Sequence, residues 1–101
     1  MAIIQPIFTA AMVDTMDQLC AKGKVKINGD YKNYSMFKTV RDGNKLRKYL
    51  YLETEIGYVE EAQLLSINND VLAIKPVEIE KQEDGLVIAF EFELVIREVN
   101  A

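Results

Sequence analysis

The last extended stretch of the chain limits its fold more than any other feature. From Leu86 to Val99 the residues alternate: Leu86, Ile88, Phe90, Phe92, Leu94 and Ile96 on one face, Val87, Ala89, Glu91, Glu93, Val95, Arg97 and Val99 on the other. A period of two is the mark of a strand that sets one face against a core. At ~3.3 Å per residue such a strand is about 46 Å long, whereas most strands stop by about 10 residues. The pattern therefore predicts a ribbon that bends, spans two sheets or projects into a neighbour. The Phe-rich face is assigned to the core. Val87, Val95 and Val99, on the other face, are assigned to a contact between subunits.

The rest of the chain supplies partners for that ribbon. Residues 1–8 read as an extended N-terminal arm, in which Ile3, Ile4 and Ile7 are too apolar to stay in water. Pro6 disfavours helix before it. A helix is expected over residues 9–22, with Thr9 as N-cap and Gly23 as the left-handed stop. Phe8, Met12, Met16, Leu19 and Cys20 recur at spacings of three and four, which predicts one core-facing stripe. After Gly23 the period changes to two, and residues 24–99 read as about six antiparallel strands. Asn28-Gly29 is a strong hairpin signal, because both residues tolerate positive φ. Residues 31–40, 45–54, 58–66 and 71–79 are further strand candidates. Pro76 makes the last of these an edge strand or a broken one. In 45–54, Leu46, Leu50 and Leu52 share a face, and Lys48 interrupts the row. The expected fold class is α+β: one domain over residues 1–101, with an N-terminal helix followed by an antiparallel β-meander in the form of a β-sandwich or a curled sheet. Loops are short, so consecutive strands are expected to pair.

Composition narrows the chemistry. The chain has no His and one Cys, Cys20, so imidazole catalysis, His metal sites and intrachain disulfides have no residues to build them. Cys20 reads as a buried structural thiol. The five glycines form no phosphate-binding loop. Glu60-Glu61 and Glu83-Asp84 are sequence neighbours, so on strands they point to opposite faces and make poor acid–base pairs. No catalytic, metal-binding or cofactor-binding residue is assigned; no enzyme activity and no cofactor are expected. No apolar run approaches the ~20 residues of a membrane helix, and the N-terminus reads as no secretory leader.

Charge is uneven. Residues 1–48 carry nine Lys/Arg against four Asp/Glu, a net of +5, and residues 49–101 carry three against twelve, a net of −9. The simplest reading is that the halves interleave in one sheet and pair across strands. Head-to-tail contact between copies is another. Within the basic half, Tyr31, Tyr34, Lys45, Arg47, Lys48, Tyr49 and Tyr51 form a candidate interface or ligand face. Basic strands with stacking aromatics can hold single-stranded nucleic acid, although an overall pI of about 4.8 disfavours it. The same residues suit a protein contact, where Tyr and Arg are favoured anchors.

One stretch carries a resemblance. Gly57 through Leu65, then Asn68-Asn69-Asp70 with Val71-Leu72, is similar to a strand-and-turn pattern of bacteriophage tail-collar and tail-fibre-associated proteins, without the glycine usual in that turn. Ile79-Glu80-Lys81 and the run from Asp84-Gly85 to Phe92 resemble the short turn and long amphipathic strand that follow. Phe8 through Asp14 is similar to the preface of small phage tail-region proteins. The resemblance implies a non-enzymatic virion or tail-assembly component that works as a homo-oligomer among other tail proteins. It would be made in the bacterial cytoplasm and carried in the virion. The alternatives are a small binding module for single-stranded nucleic acid or an acidic partner, and an inhibitor of a host protein.

Overall fold

The computed structural model describes residues 3–99 of the 101-residue chain. One helix, α1 (Pro6–Leu19), precedes seven strands: β1 (Lys22–Ile27), β2 (Asp30–Ser35), β3 (Lys38–Asp42), β4 (Lys45–Leu52), β5 (Gly57–Leu65), β6 (Val71–Lys81) and β7 (Leu86–Glu93). All strand pairs are antiparallel. They make a four-stranded sheet, in the order β2-β1-β5-β6, and a three-stranded sheet, β3-β4-β7. The fold is α+β, two open sheets with one helix.

The helix sits three residues earlier than its expected position. Pro6 occupies its first turn, where the missing N–H costs nothing and the fixed φ suits the helix. Ile7 and Phe8 are therefore helical, and the extended arm shrinks to residues before Pro6. Met1 and Ala2 lie outside the described residues. Gln5, not Thr9, is the N-cap, and it makes no side-chain capping bond. Gly23 does not stop the helix. It lies in β1, buried, opposite Leu64 of β5. A Cβ there would lie 2.4 Å from a Leu50 methyl, so glycine is required by the approach of the two sheets.

Expected consecutive pairing holds within three hairpins, β1–β2, β3–β4 and β5–β6, and fails between them. Each hairpin is laid on the sheet opposite to the one before it. The expected strand over 31–40 is accordingly two strands, divided at Met36-Phe37. There the chain leaves β2 and crosses to the other sheet, and the Phe37 N–H at once bonds the Tyr49 carbonyl at 2.9 Å. The inward row changes parity at the crossing: Tyr34 and Met36 face the core, whereas on β3 Thr39 and Arg41 stand opposite the inner-row residues Lys48 and Leu46. Asn28-Gly29 makes its tight turn with φ of 50° and 83°, as a primed hairpin turn requires. The turn after β5 is organised by Ser66 as well as by its Asn/Asp residues: the Ser66 hydroxyl accepts the N–H groups of Asn68 and Asp70 at 3.2 and 3.1 Å. β6 is an edge strand, as Pro76 demands, and its register slips near that proline.

The long final ribbon is shorter than expected. Pairing ends at Glu93 because its partner β4 begins at Lys45, directly opposite. Leu94 still exchanges bonds with Asn44, and residues 95–99 continue outside any ladder. Its facing is as expected: Ile88 and Phe90 are buried.

The inner face of β4 is shared by two covers. Leu50 and Leu52 pack with Val25, Ile27, Val59 and Leu64 of the larger sheet and with Ile88 and Phe90 of β7. Leu46 and Lys48 lie outside that cluster, toward α1, where Val13 is fully buried. The molecule is elongated, 53 × 23 × 22 Å.

Candidate functional site

The basic and aromatic residues singled out from sequence do not form one surface. Lys45, Arg47, Tyr49 and Tyr51 do share the outer face of β4, because they alternate with its buried leucines. Lys48 belongs to the inner row, is only 4% exposed, and bonds the Asp17 carboxylate of α1 and, at 3.0 Å, the Thr39 hydroxyl. It is a structural cation beneath the helix, not part of a ligand face. Tyr31 lies on the other sheet. Tyr34 turns inward there, and its hydroxyl donates to Glu55 in the β4–β5 loop. Burial, with that carboxylate beside it, pushes the Tyr34 phenol far above its ordinary range. The same hydrogen bond holds Glu55 below the usual carboxylate range.

Acidic strands neutralise the basic face. Arg47 is paired with Glu91 at 3.1 Å, and Lys45 stands opposite Glu93, both glutamates on β7. Lys26 of β1 meets Glu60 of β5 at 3.5 Å. Lys24 and Lys26 lie over the Tyr31 ring at 5.3 and 5.6 Å, while the Tyr31 hydroxyl donates to Glu61 at 3.1 Å. That hydrogen bond raises the Tyr31 pKa. The basic and acidic halves of the sequence thus meet along one strand pair in each sheet, β1 with β5 and β4 with β7, and there their charges offset one another.

A second buried cation was invisible in the sequence. Lys81, at the end of β6, donates its three N–H groups to the carbonyls of Glu53, Glu55 and Gln82. It ties the β4–β5 loop to the β6–β7 connection. Alternation along β6 does put Lys81 on the inward row with Ile79, but nothing local marks the carbonyl cluster it satisfies.

What the structure leaves uncovered is apolar. Of the helical stripe assigned to the core, Cys20 is buried and Met16 half-buried, whereas Phe8, Met12 and Leu19 are 49%, 39% and 52% exposed. The helix turns Val13 inward instead, and Asp14 and Asp17 bind Arg41 and Lys48 of the smaller sheet. Two ion pairs, not the stripe, orient it. Met16, Leu19 and Cys20 form one wall of a groove of about 170 Å³, closed by Leu72 at the start of β6 and Phe92 near the end of β7. Ile3, Ile7, Val87, Val95 and Val99, expected at a subunit contact, are exposed, and Ile4 is half-buried. Burial raises the Cys20 thiol pKa against the opposing pull of the Lys48 ammonium, so the thiolate is disfavoured.

A second groove of about 190 Å³ lies between the free edges of β6 and β7, bridged by Lys75, whose ammonium donates to the Ala89 carbonyl at 2.6 Å. Among the described residues no three His, Cys, Asp or Glu side chains gather to hold a metal ion, and no helix is long and apolar enough to cross a membrane. No protein-family model, no curated protein and no solved structure matches this chain.

Proposed function

We propose that this protein is a non-enzymatic assembly subunit that works by binding copies of itself, as an accessory component of a phage tail does. The observation that carries the reading is the uncovered stripe of α1. A soluble domain seldom leaves a run of large apolar side chains in water unless another surface covers it. Here the run borders an apolar groove on a chain of net charge −4. The basic strands, paired with glutamates, offer weak attraction for nucleic acid, which favours protein over phosphate as the partner. The tail setting is supported by the resemblance of the stretch from Gly57 to Phe92 to tail-associated proteins.

Sedimentation equilibrium of the full chain tests the proposal. The expected result is a defined oligomer at micromolar concentration that Leu19→Asp converts to monomer with an unchanged thermal midpoint of the monomer fold. A strict monomer up to millimolar concentration overturns it.

A further inference from the structure

Resting on that homo-oligomeric reading, we propose that two copies associate through antiparallel α1 helices, Phe8 of each filling the other's groove between Met16, Leu19, Cys20, Leu72 and Phe92. The spacing of the exposed residues supports a helix as the partner. Phe8, Met12, Thr15 and Leu19 follow one another at intervals of four, three and four. That is the repeat with which one helix meets another along a seam. Thr15 does not interrupt it, because its hydroxyl is turned back onto the Ala11 carbonyl at 3.0 Å.

The seam carries no charge. The only ionised side chains of α1 are Asp14 and Asp17, and both are engaged by the protein's own sheet. A charged partner finds no counter-charge there. An anionic membrane surface requires basic residues on the helix, and α1 has none. A second copy meets a matching neutral seam, away from the charges that make two net-negative molecules repel.

Knob and hole then fix the direction. The groove lies at the C-terminal end of α1 and Phe8 at the other, eleven residues away, about 16 Å along the axis. Parallel helices would set Phe8 against Phe8 and groove against groove. Antiparallel helices set each phenyl ring into the facing groove and place Met12 against Thr15. The sizes agree: an apolar cavity of ~150 Å³ accommodates a benzene ring, and this groove measures about 170 Å³. Such a two-fold contact is self-complementary and closed, and it aligns each positive helix N-terminus with the partner's negative C-terminus.

Disulfide trapping tests the geometry in the full chain carrying Cys20→Ser. Phe8→Cys and Leu19→Cys chains are oxidised separately and as an equal mixture. The expected covalent dimer forms in the mixture and contains one chain of each kind; each variant alone stays uncrosslinked. In parallel, Phe8→Ala weakens association by about a hundred- to ten-thousandfold, the loss of two buried phenyl rings, one from each copy. Self-crosslinking of each variant alone overturns the antiparallel arrangement. An oligomer that neither crosslinks nor responds to Phe8→Ala overturns this contact while the assembly reading survives. A monomer under all conditions overturns both.

Discussion

The two halves of β4 are covered by different means. Over Leu50 and Leu52 lies a sheet that contributes Val25, Ile27, Val59 and Leu64, all fully or nearly buried. Over Leu46 and Lys48 lies a helix that buries one valine completely and is otherwise oriented by ions. Sheet against sheet closes a dry, continuous surface. Helix against sheet leaves the larger side chains of the helix turned outward. The comparison teaches that a stripe of correct spacing does not become core by spacing alone. It becomes core only if the surface it meets is free of a competing polar demand. Lys48, in the middle of an apolar row, creates that demand, and Asp17 answers it by rotating the helix.

The largest way to break the contrast is in the sheet-on-sheet half. Leu50→Ala opens a cavity where the fully buried side chain lies against Gly23 of the other sheet, and is expected to cost about 4 kcal/mol, read from the urea midpoint. In the helix-covered half the expected cost depends on which partner goes. Asp17→Ala strands the buried Lys48 charge and costs about 3 kcal/mol, whereas Lys48→Met, which removes that charge, stays within about 1 kcal/mol of the parent. The double variant recovers most of the Asp17→Ala loss. Equal losses for both single changes would show that the pair attracts more than it costs to desolvate.

A smaller effect sharpens the comparison at the far end of the larger sheet. Tyr34→Phe removes the bond to Glu55 and costs about 1 kcal/mol at pH 7. Because Glu55 titrates below its ordinary range in the folded state, its contribution is complete above the unfolded carboxylate pKa of ~4.3. It fades as pH falls through the lowered folded value. The gap between parent and Tyr34→Phe in urea melts therefore narrows below about pH 4. The smallest effect belongs to the exposed pair: Arg47→Ala leaves the urea midpoint unchanged within error, because Arg47 and Glu91 are paired in water. A clear loss would place Arg47 in a contact this surface does not make by itself.

Much of this molecule was legible in its residues. The Asn28-Gly29 turn, the edge position forced by Pro76, the inward leucines of β4 and the Phe-rich face of β7 all follow from local rules: allowed φ, a missing N–H, a period of two. None of these depends on what lies elsewhere in the fold.

Other features were settled only when the elements met. The crossing at Met36-Phe37 shifts the inward row by one residue, and only the register of β3 against β4 shows which side chains turn in afterwards. The end of β7 at Glu93 is set by where β4 begins, not by the residues that follow. Gly23 belongs to a strand because Leu65 and Leu64 offer it a ladder and Leu50 leaves no room for a side chain. The exposed stripe of α1 is the consequence with the most bearing on function. Periodicity states that a helix has an apolar face, but which face turns inward is a competition between contacts. Two carboxylates that reach Arg41 and a buried lysine won it against Phe8, Met12 and Leu19.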